Sequence, residues 1–245
     1  FHLVYDAPFD RRLKGLYRVD EGGSSYAFTQ FQTIAARQCF PGFDEPSFKT
    51  PFDVTLRVKP EHIAIANTLE VEERVVDGGL KQVRFARTER LPTYLLAFAV
   101  GPFDVVDGPV IPPNEVRSTP IPLRGIAPRG KGKQLAYGLE RTAPQLAVLE
   151  RYFQIGYPFG KLDLIAVPDF AAGAMENPGA VTFRDGLLLL EPELAAEGHK
   201  RYLEETLAHE LAHMWLGDLV TLEWWDDTWL NEAFATWMAK HVVQV

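Results

Sequence analysis

The residues best suited to chemistry lie together at His209-Glu210-Leu211-Ala212-His213. Histidines four positions apart on an α-helix sit about 40° apart around its axis and roughly 6 Å along it, so both imidazoles can reach one ion from one face. A glutamate beside them, not itself a ligand, can take a proton from water on that ion. This is the donor pattern of a hydrolytic zinc centre, and chance produces the string in roughly one chain of this length in a hundred. Catalytic zinc takes three protein ligands and keeps one position for water. Glu232 is the candidate third ligand. Eighteen residues, Met214 to Asn231, separate it from His213, enough to leave one helix, turn and return along another. Taken alone, Glu232 would read as a first-turn carboxylate favoured by the helix dipole. His199, a single histidine near a helix start, reads as a surface or capping residue, and Cys39 as a buried or half-buried thiol with no chemistry to do.

These residues work only if two helices are held against each other, and the periodicity supplies both. Leu203, Leu207 and Leu211 recur in steps of four within a helix over 200–215. A second helix is expected over 229–243, with Asp227 or Thr228 as its N-cap. Leu135, Leu139, Leu146, Leu149 and Phe153 mark a third over 134–154, where Pro144 predicts a kink. Residues 162–167 and 180–190 read as strands. Earlier, 52–58 and 82–86 alternate apolar and polar, the latter after the turn residues Asp77-Gly78-Gly79, and the apolar run 94–100 reads as another strand. The Pro-, Gly- and Arg-rich stretch 108–133 reads as connection, with Arg124, Arg129, Lys131 and Lys133 as a solvated cluster. All five tryptophans (215, 224, 225, 229 and 237) fall where they can pack the two histidine-bearing helices and their connection. The fold class is α+β, with a β-rich domain over 1–107 and a mixed α/β domain over 108–245.

Composition sets outer limits. With 245 residues, 47% hydrophobic and 24% charged, this is an ordinary globular chain, and its longest apolar run is far too short to span a membrane. The net charge of −8 offers no basic face, which argues against nucleic acid or an anionic membrane as main partner. One cysteine excludes an internal disulfide and slightly favours a reducing, cytoplasmic compartment. The sequence opens at Phe1 with no readable leader and stops at Val245 within an uncapped helical pattern, so it reads as a fragment.

HELAH, eighteen residues and then WLNEAFA (229–235) closely resembles the zinc helices of the aminopeptidase N family. Gly173-Ala-Met-Glu-Asn177 resembles that family's GAMEN signature and follows the strand LDLIAVPDF, while Thr29-Gln-Phe-Gln32 and FPGFDEPSFKTPF (40–52) resemble its amino-terminal β-domain motif. The resemblance covers most of the chain and implies a saddle-like β-sheet domain followed by part of a thermolysin-like α/β zinc-peptidase domain. It implies one Zn2+ held by His209, His213 and Glu232, with Glu210 as general base. Peptides with a free N-terminus would be the substrates, their α-ammonium held by Glu176 with help from Gln32, and their backbone held extended along Gly173 and Ala174. Many relatives carry Glu where Gln32 stands, so amine recognition here should lean harder on Glu176. Ala233 and Gly42 stand where many relatives have Gly and Cys; neither touches a ligand. The family's oxyanion-stabilising tyrosine lies well downstream of the second zinc helix, and only thirteen residues follow Glu232. That tyrosine and the family's helical C-terminal domain are therefore missing from this sequence, which puts turnover by the fragment in question.

The implied activity is hydrolysis of the N-terminal peptide bond. Within enzymes the alternative is the leukotriene-hydrolase branch, which shares the zinc site; an endopeptidase would have no use for an amine anchor. Outside enzymes, the fragment could bind zinc or peptide without turnover, although the intact Glu210 argues against a degenerate relative.

Overall fold

The computed structural model describes residues 1–244. The front half is built from seven antiparallel strands: β1 (Gly15–Glu21), β2 (Ser24–Gln30), β3 (Thr55–Val58), β4 (Ile63–Ala66), β5 (Glu70–Val76), β6 (Leu80–Phe85) and β7 (Phe98–Gly101). They form a four-stranded sheet in the order β1-β2-β7-β4 and a three-stranded sheet in the order β3-β6-β5. The chain then enters a third sheet through β8 (Phe103–Asp107), which pairs antiparallel with β9 (Leu123–Pro128). Helix α1 (Ala136–Phe153) crosses over to β10 (Leu162–Val167), parallel to β9. The two-residue strand β11 (Ala174–Met175) lies outside β12 (Ala180–Arg184), giving the order β11-β12-β10-β9-β8. A single turn, α2 (Asp185–Leu188), leads to the long helices α3 (Glu197–His213) and α4 (Thr228–Val243), which pack side by side.

Strand β10 shows how the layers meet. It is buried throughout, as a central parallel strand should be. Leu162, Leu164 and Ala166 face a core shared with α1, α3 and α4, whereas Ile165 and Val167 face a second core with Tyr17, Phe28 and Tyr94 of the front half. The period of two thus joins the front sheet to the helices through one strand. Leu203, Leu207 and Leu211 enter the helix-side core, as their spacing predicts.

Several local expectations need correction. The supposed connection 108–133 contains the inner strand β9; Arg124 within it forms a bidentate pair with Asp163 (2.8 Å to each oxygen) and is not a solvated loop residue. Lys131 of the same cluster pairs with Glu21 at 2.7 Å. The run 94–100 is a 3-10 turn over Thr93–Leu95 before β7 begins at Phe98. The segment 180–190 leaves the sheet at Arg184 and turns into α2. Helix α1 passes through Pro144 unbroken; Pro144 and Glu140, whose carbonyl loses its usual donor, are both exposed, so water can take the vacant position. Of the tryptophans, Trp215 is buried against Phe153 and Trp225 packs edge-on against Tyr94, but Trp224 and Trp229 are exposed, and Trp237, also exposed, sets its ring edge-on against Tyr152 of α1.

Candidate metal centre

His209 and His213 project from the last two turns of α3, and Glu232 from the second turn of α4. The side-by-side packing of the two helices brings the three together. His209 Nε2 lies 3.0 Å from His213 Nε2 and 3.2 Å from Glu232 Oε2, and His213 Nε2 lies 3.7 Å from the same oxygen. Ligands about 2.0–2.1 Å from one tetrahedral zinc stand about 3.3–3.4 Å apart, so the spacing fits a single ion. The rear nitrogens fit as well. His213 Nδ1 faces the Leu216 carbonyl at 3.1 Å and His209 Nδ1 faces the Thr236 hydroxyl at 3.4 Å. A ring that donates from Nδ1 presents the Nε2 lone pair forward, the state a metal needs.

Glu210, between the histidines in sequence, is 4% exposed, and its Oε2 has no hydrogen-bond partner. Burial, and then the carboxylate of Glu176, push its carboxyl well above the usual range against the pull of His213. Burial alone would strip His213 of its proton. The carboxylates of Glu176, Glu232 and Glu210 outweigh burial and push it up to about 10. Glu232 is held well below the usual carboxylate range by its bonds to His209 and His213. A field that holds a proton this firmly on an imidazole would equally hold a divalent cation in its place.

Glu176 is 4% exposed and follows edge strand β11. The turn beyond it is fixed from two sides. Asn67 Nδ2 donates to the Pro178 carbonyl at 3.0 Å, and the buried Lys161 ammonium donates to the Gly179 carbonyl at 2.5 Å. Gly179 has φ +71°, and a Cβ there would meet the Asn67 carbonyl oxygen at 2.1 Å, so only glycine fits. Gly173 and Ala174 line a cleft of about 340 Å³ together with His209, Glu210, Thr236 and Lys240.

The structure therefore gathers His209, His213 and Glu232 into one cluster and sets Glu210, Gly173 and Ala174 along one cleft, with Glu176 close enough to act on Glu210 and His213. Gln32 is placed differently. It sits in a turn after β2, half-buried, and is not among the residues lining the cleft. Its neighbour Gln30 reaches the Gly173–Asn177 segment instead, with Nε2 3.4 Å from Met175 Sδ and a buried Oε1 that has no partner. The sequence signal for Gln30 was its place two residues before Gln32, on the same face of an extended segment. Sequence reading also passed over Asp218, 1% exposed with both carboxylate oxygens unpartnered. Burial, then Glu176, push its carboxyl well above the usual range, opposed by His213 and Lys49.

Two family profiles match this chain, the Peptidase M1 N-terminal domain over residues 1–95 and the Peptidase family M1 domain over residues 137–245. The chain belongs to peptidase family M1. Its M1 relatives include Aminopeptidase M1-A of Oryza sativa subsp. japonica, 42% identical over 242 residues, which are 97% of this chain and 26% of that protein. Aminopeptidase M1 of Arabidopsis thaliana is 41% identical over 97% of this chain and 26% of its own length. Endoplasmic reticulum aminopeptidase 1 of Homo sapiens is 42% identical over 92% of this chain and 23% of its own length. The chain thus spans about a quarter of the length of the curated relatives it matches. Its α+β architecture, antiparallel sheets first and the helix pair last, follows the order of the two M1 profiles. Among the described residues no helix is long and apolar enough to cross a membrane.

Proposed function

We propose that the protein carrying this chain is a zinc aminopeptidase, with one zinc held by His209, His213 and Glu232. The observation that carries this reading is the convergence of those three ligands beside an unpartnered, buried Glu210 carboxylate, at the end of a cleft edged by Gly173 and Ala174. Bound zinc would supply Lewis acidity, polarising a peptide carbonyl and acidifying water. Glu210 Oε2 takes the proton of the attacking water and delivers it to the leaving amine, a role open to a buried carboxyl whose Oε2 has no other partner. Glu176, buried beside the cluster, holds the substrate's α-ammonium and so measures one residue from the chain end. β11 pairs with β12 on one side only, which leaves its outer edge free to hold an extended substrate along Gly173 and Ala174. Gln32 assists from the turn after β2. The domain division at residue 107 belongs to the same proposal, with β8 the strand that passes from one part to the other.

The test is zinc per purified chain after dialysis against metal-free buffer, followed by cleavage of matched free and N-acetylated peptides by the longest active form of the protein. About one zinc per chain and loss of cleavage on acetylation are expected. A folded chain without zinc overturns the ligand set, and equal cleavage of both peptides overturns the amine anchor.

A further inference from the structure

The motif 40–52 in the front half has no part in the chemistry above, yet its Lys49 reaches the metal-bearing half. Lys49 Nζ donates to the main-chain carbonyls of Asp218 (2.8 Å) and Leu219 (3.1 Å). Tyr94, also of the front half and buried, donates its hydroxyl to the Gly217 carbonyl at 3.3 Å. The carbonyl just before these, Leu216, is the one that faces His213 Nδ1. Four successive carbonyls of the turn after α3 thus point to side chains, the first to a metal-site histidine and the next three to the front half. The turn has little slack. Gly217 has φ +131°, and a Cβ there would lie 3.1 Å from His213 Nδ1. The Asp218 amide returns to the His213 carbonyl at 3.0 Å, and the Gly217 amide bonds to the Val220 carbonyl at 2.7 Å.

Both donors are anchored in their turn. Asp44 of the same motif is buried; its carboxylate accepts from Arg37 Nε and Thr93 Oγ1, each at 2.6 Å, and its carbonyl accepts from Trp225 Nε1 at 3.2 Å. Thr93 is the neighbour of Tyr94, and the Tyr94 ring packs edge-on against Trp225 at 5.1 Å. The connection between α3 and α4 is therefore gripped at both of its ends by the front half. The Lys49 ammonium also lies just beyond the C-terminal end of α3, where a positive charge is favoured.

We propose that Lys49 and Tyr94 are positioning residues for the metal centre: by holding the Leu216–Leu219 turn they keep the Leu216 carbonyl on His213 Nδ1, so that His213 Nε2 stays aimed at the site shared with His209 and Glu232. This rests on the reading of His213 as a zinc ligand. Outer partners of ligating histidines alter metal affinity by about 10–100-fold. Lys49→Met should weaken zinc binding to the 245-residue chain by about tenfold or more and Lys49→Arg should restore it, while Tyr94→Phe, which removes one oxygen from a buried ring, should weaken it by about threefold to tenfold.

Zinc dissociation constants are to be measured by chelator competition, and exchange of the His213 Nδ1 proton in the zinc-loaded chain by nuclear magnetic resonance. Faster proton exchange together with weaker binding supports the positioning role. Zinc affinity within twofold of wild type and unchanged exchange in both Lys49→Met and Tyr94→Phe overturns it, even if the melting temperature falls. If Lys49→Met does not fold, Tyr94→Phe decides alone. A His213→Gln chain that binds zinc as tightly as wild type would instead remove His213 from the ligand set and take the inference with it.

Discussion

Two kinds of buried charge group in this molecule are built on opposite plans. Behind the turn that follows Glu176, Asp163 accepts from Arg124 at both oxygens and from the Lys161 ammonium at 2.6 Å, and Lys161 spends its remaining reach on the Gly179 carbonyl. Under α1, Glu150 accepts from Arg117 Nε at 2.7 Å and from the Tyr157 amide at 2.8 Å, and Arg117 also donates to the Pro112 and Thr119 carbonyls. In these groups charges are matched and hydrogen-bonding capacity is used. At the metal centre, Glu176, Glu210, Asp218 and Glu232 gather around two histidines, and Glu210 Oε2 and both Asp218 oxygens have no partner. Burying a carboxyl without a partner is costly, so this centre tolerates what the Asp163 and Glu150 groups avoid. On the proposed reading, the difference separates charge that holds the fold from charge held ready for a cation and a substrate.

The largest effect that tests this contrast is catalytic. Glu210→Gln should keep one zinc per chain while lowering peptide hydrolysis by about 10²–10⁴-fold, and a residual rate above about 10% would break the general-base role. Next comes the ion itself: Glu232→Ala should weaken zinc binding more than about 100-fold, beyond the effect of an outer partner, and unchanged affinity in chelator competition would remove it from the ligand set.

Stability compares the two groups directly. Glu150→Ala leaves Arg117 buried without its carboxylate and should cost about 3–5 kcal/mol in urea unfolding. Asp218→Asn replaces a buried carboxyl that has no hydrogen-bond partner and should stabilise the metal-free chain by about 1–2 kcal/mol at pH 8. Equal destabilisation by the two substitutions would erase the distinction.

A smaller effect follows from pH. Because His213 in the folded chain titrates at about 10, above its ordinary 6.5, the folded state keeps a proton that the unfolded state gives up between those values. The stability this contributes is complete below about pH 6.5 and is lost as pH climbs to about 10. Glu210 and Asp218, also raised, tilt stability the same way from about pH 4 upward. Between pH 6.5 and 10 the metal-free chain should lose on the order of 5 °C in melting temperature relative to His213→Gln, and zinc should flatten the difference by displacing the proton. A metal-free profile that rises over that window would contradict it. Smallest of all, a charge at a half-exposed position is worth about 0–1 kcal/mol, so Gln32→Glu should change KM for free-amine peptides by less than about fivefold. A larger change would place Gln32 nearer the amine than its turn suggests.

What could be read from the sequence follows the range of the forces involved. The α3 stripe of Leu203, Leu207 and Leu211 and the placing of His209, Glu210 and His213 on the same helix are fixed by helical geometry over a few residues, and they were legible. Strand β9 was not. Its Arg124 and Gly125 look like loop residues until Asp163, thirty-nine positions later, supplies the partner that buries the arginine in a sheet. The run 94–100 has the composition of a strand, but Asn67 takes the Leu95 carbonyl at 2.9 Å and Tyr94 turns its hydroxyl to Gly217, so the segment bends before pairing begins. The tryptophans misled because aromatic residues near a site suggest packing, whereas the outer faces of Trp229 and Trp237 meet solvent. Asp218 carries no pattern in sequence; its burial comes from elements packed around it.

The reach of Lys49 also sets a timetable. Its two acceptors lie 169 and 170 positions further along the chain. At about 5–20 residues per second, a ribosome delivers them roughly 10–30 s after Lys49 has been added. During that interval the early sheets can assemble, but the ammonium waits bare and the turn that steadies His213 does not yet exist. On the proposed reading, metal capture thereby becomes a late event in the life of the nascent protein, and a chain cut short within the interval would hold sheets with nowhere to put the ion.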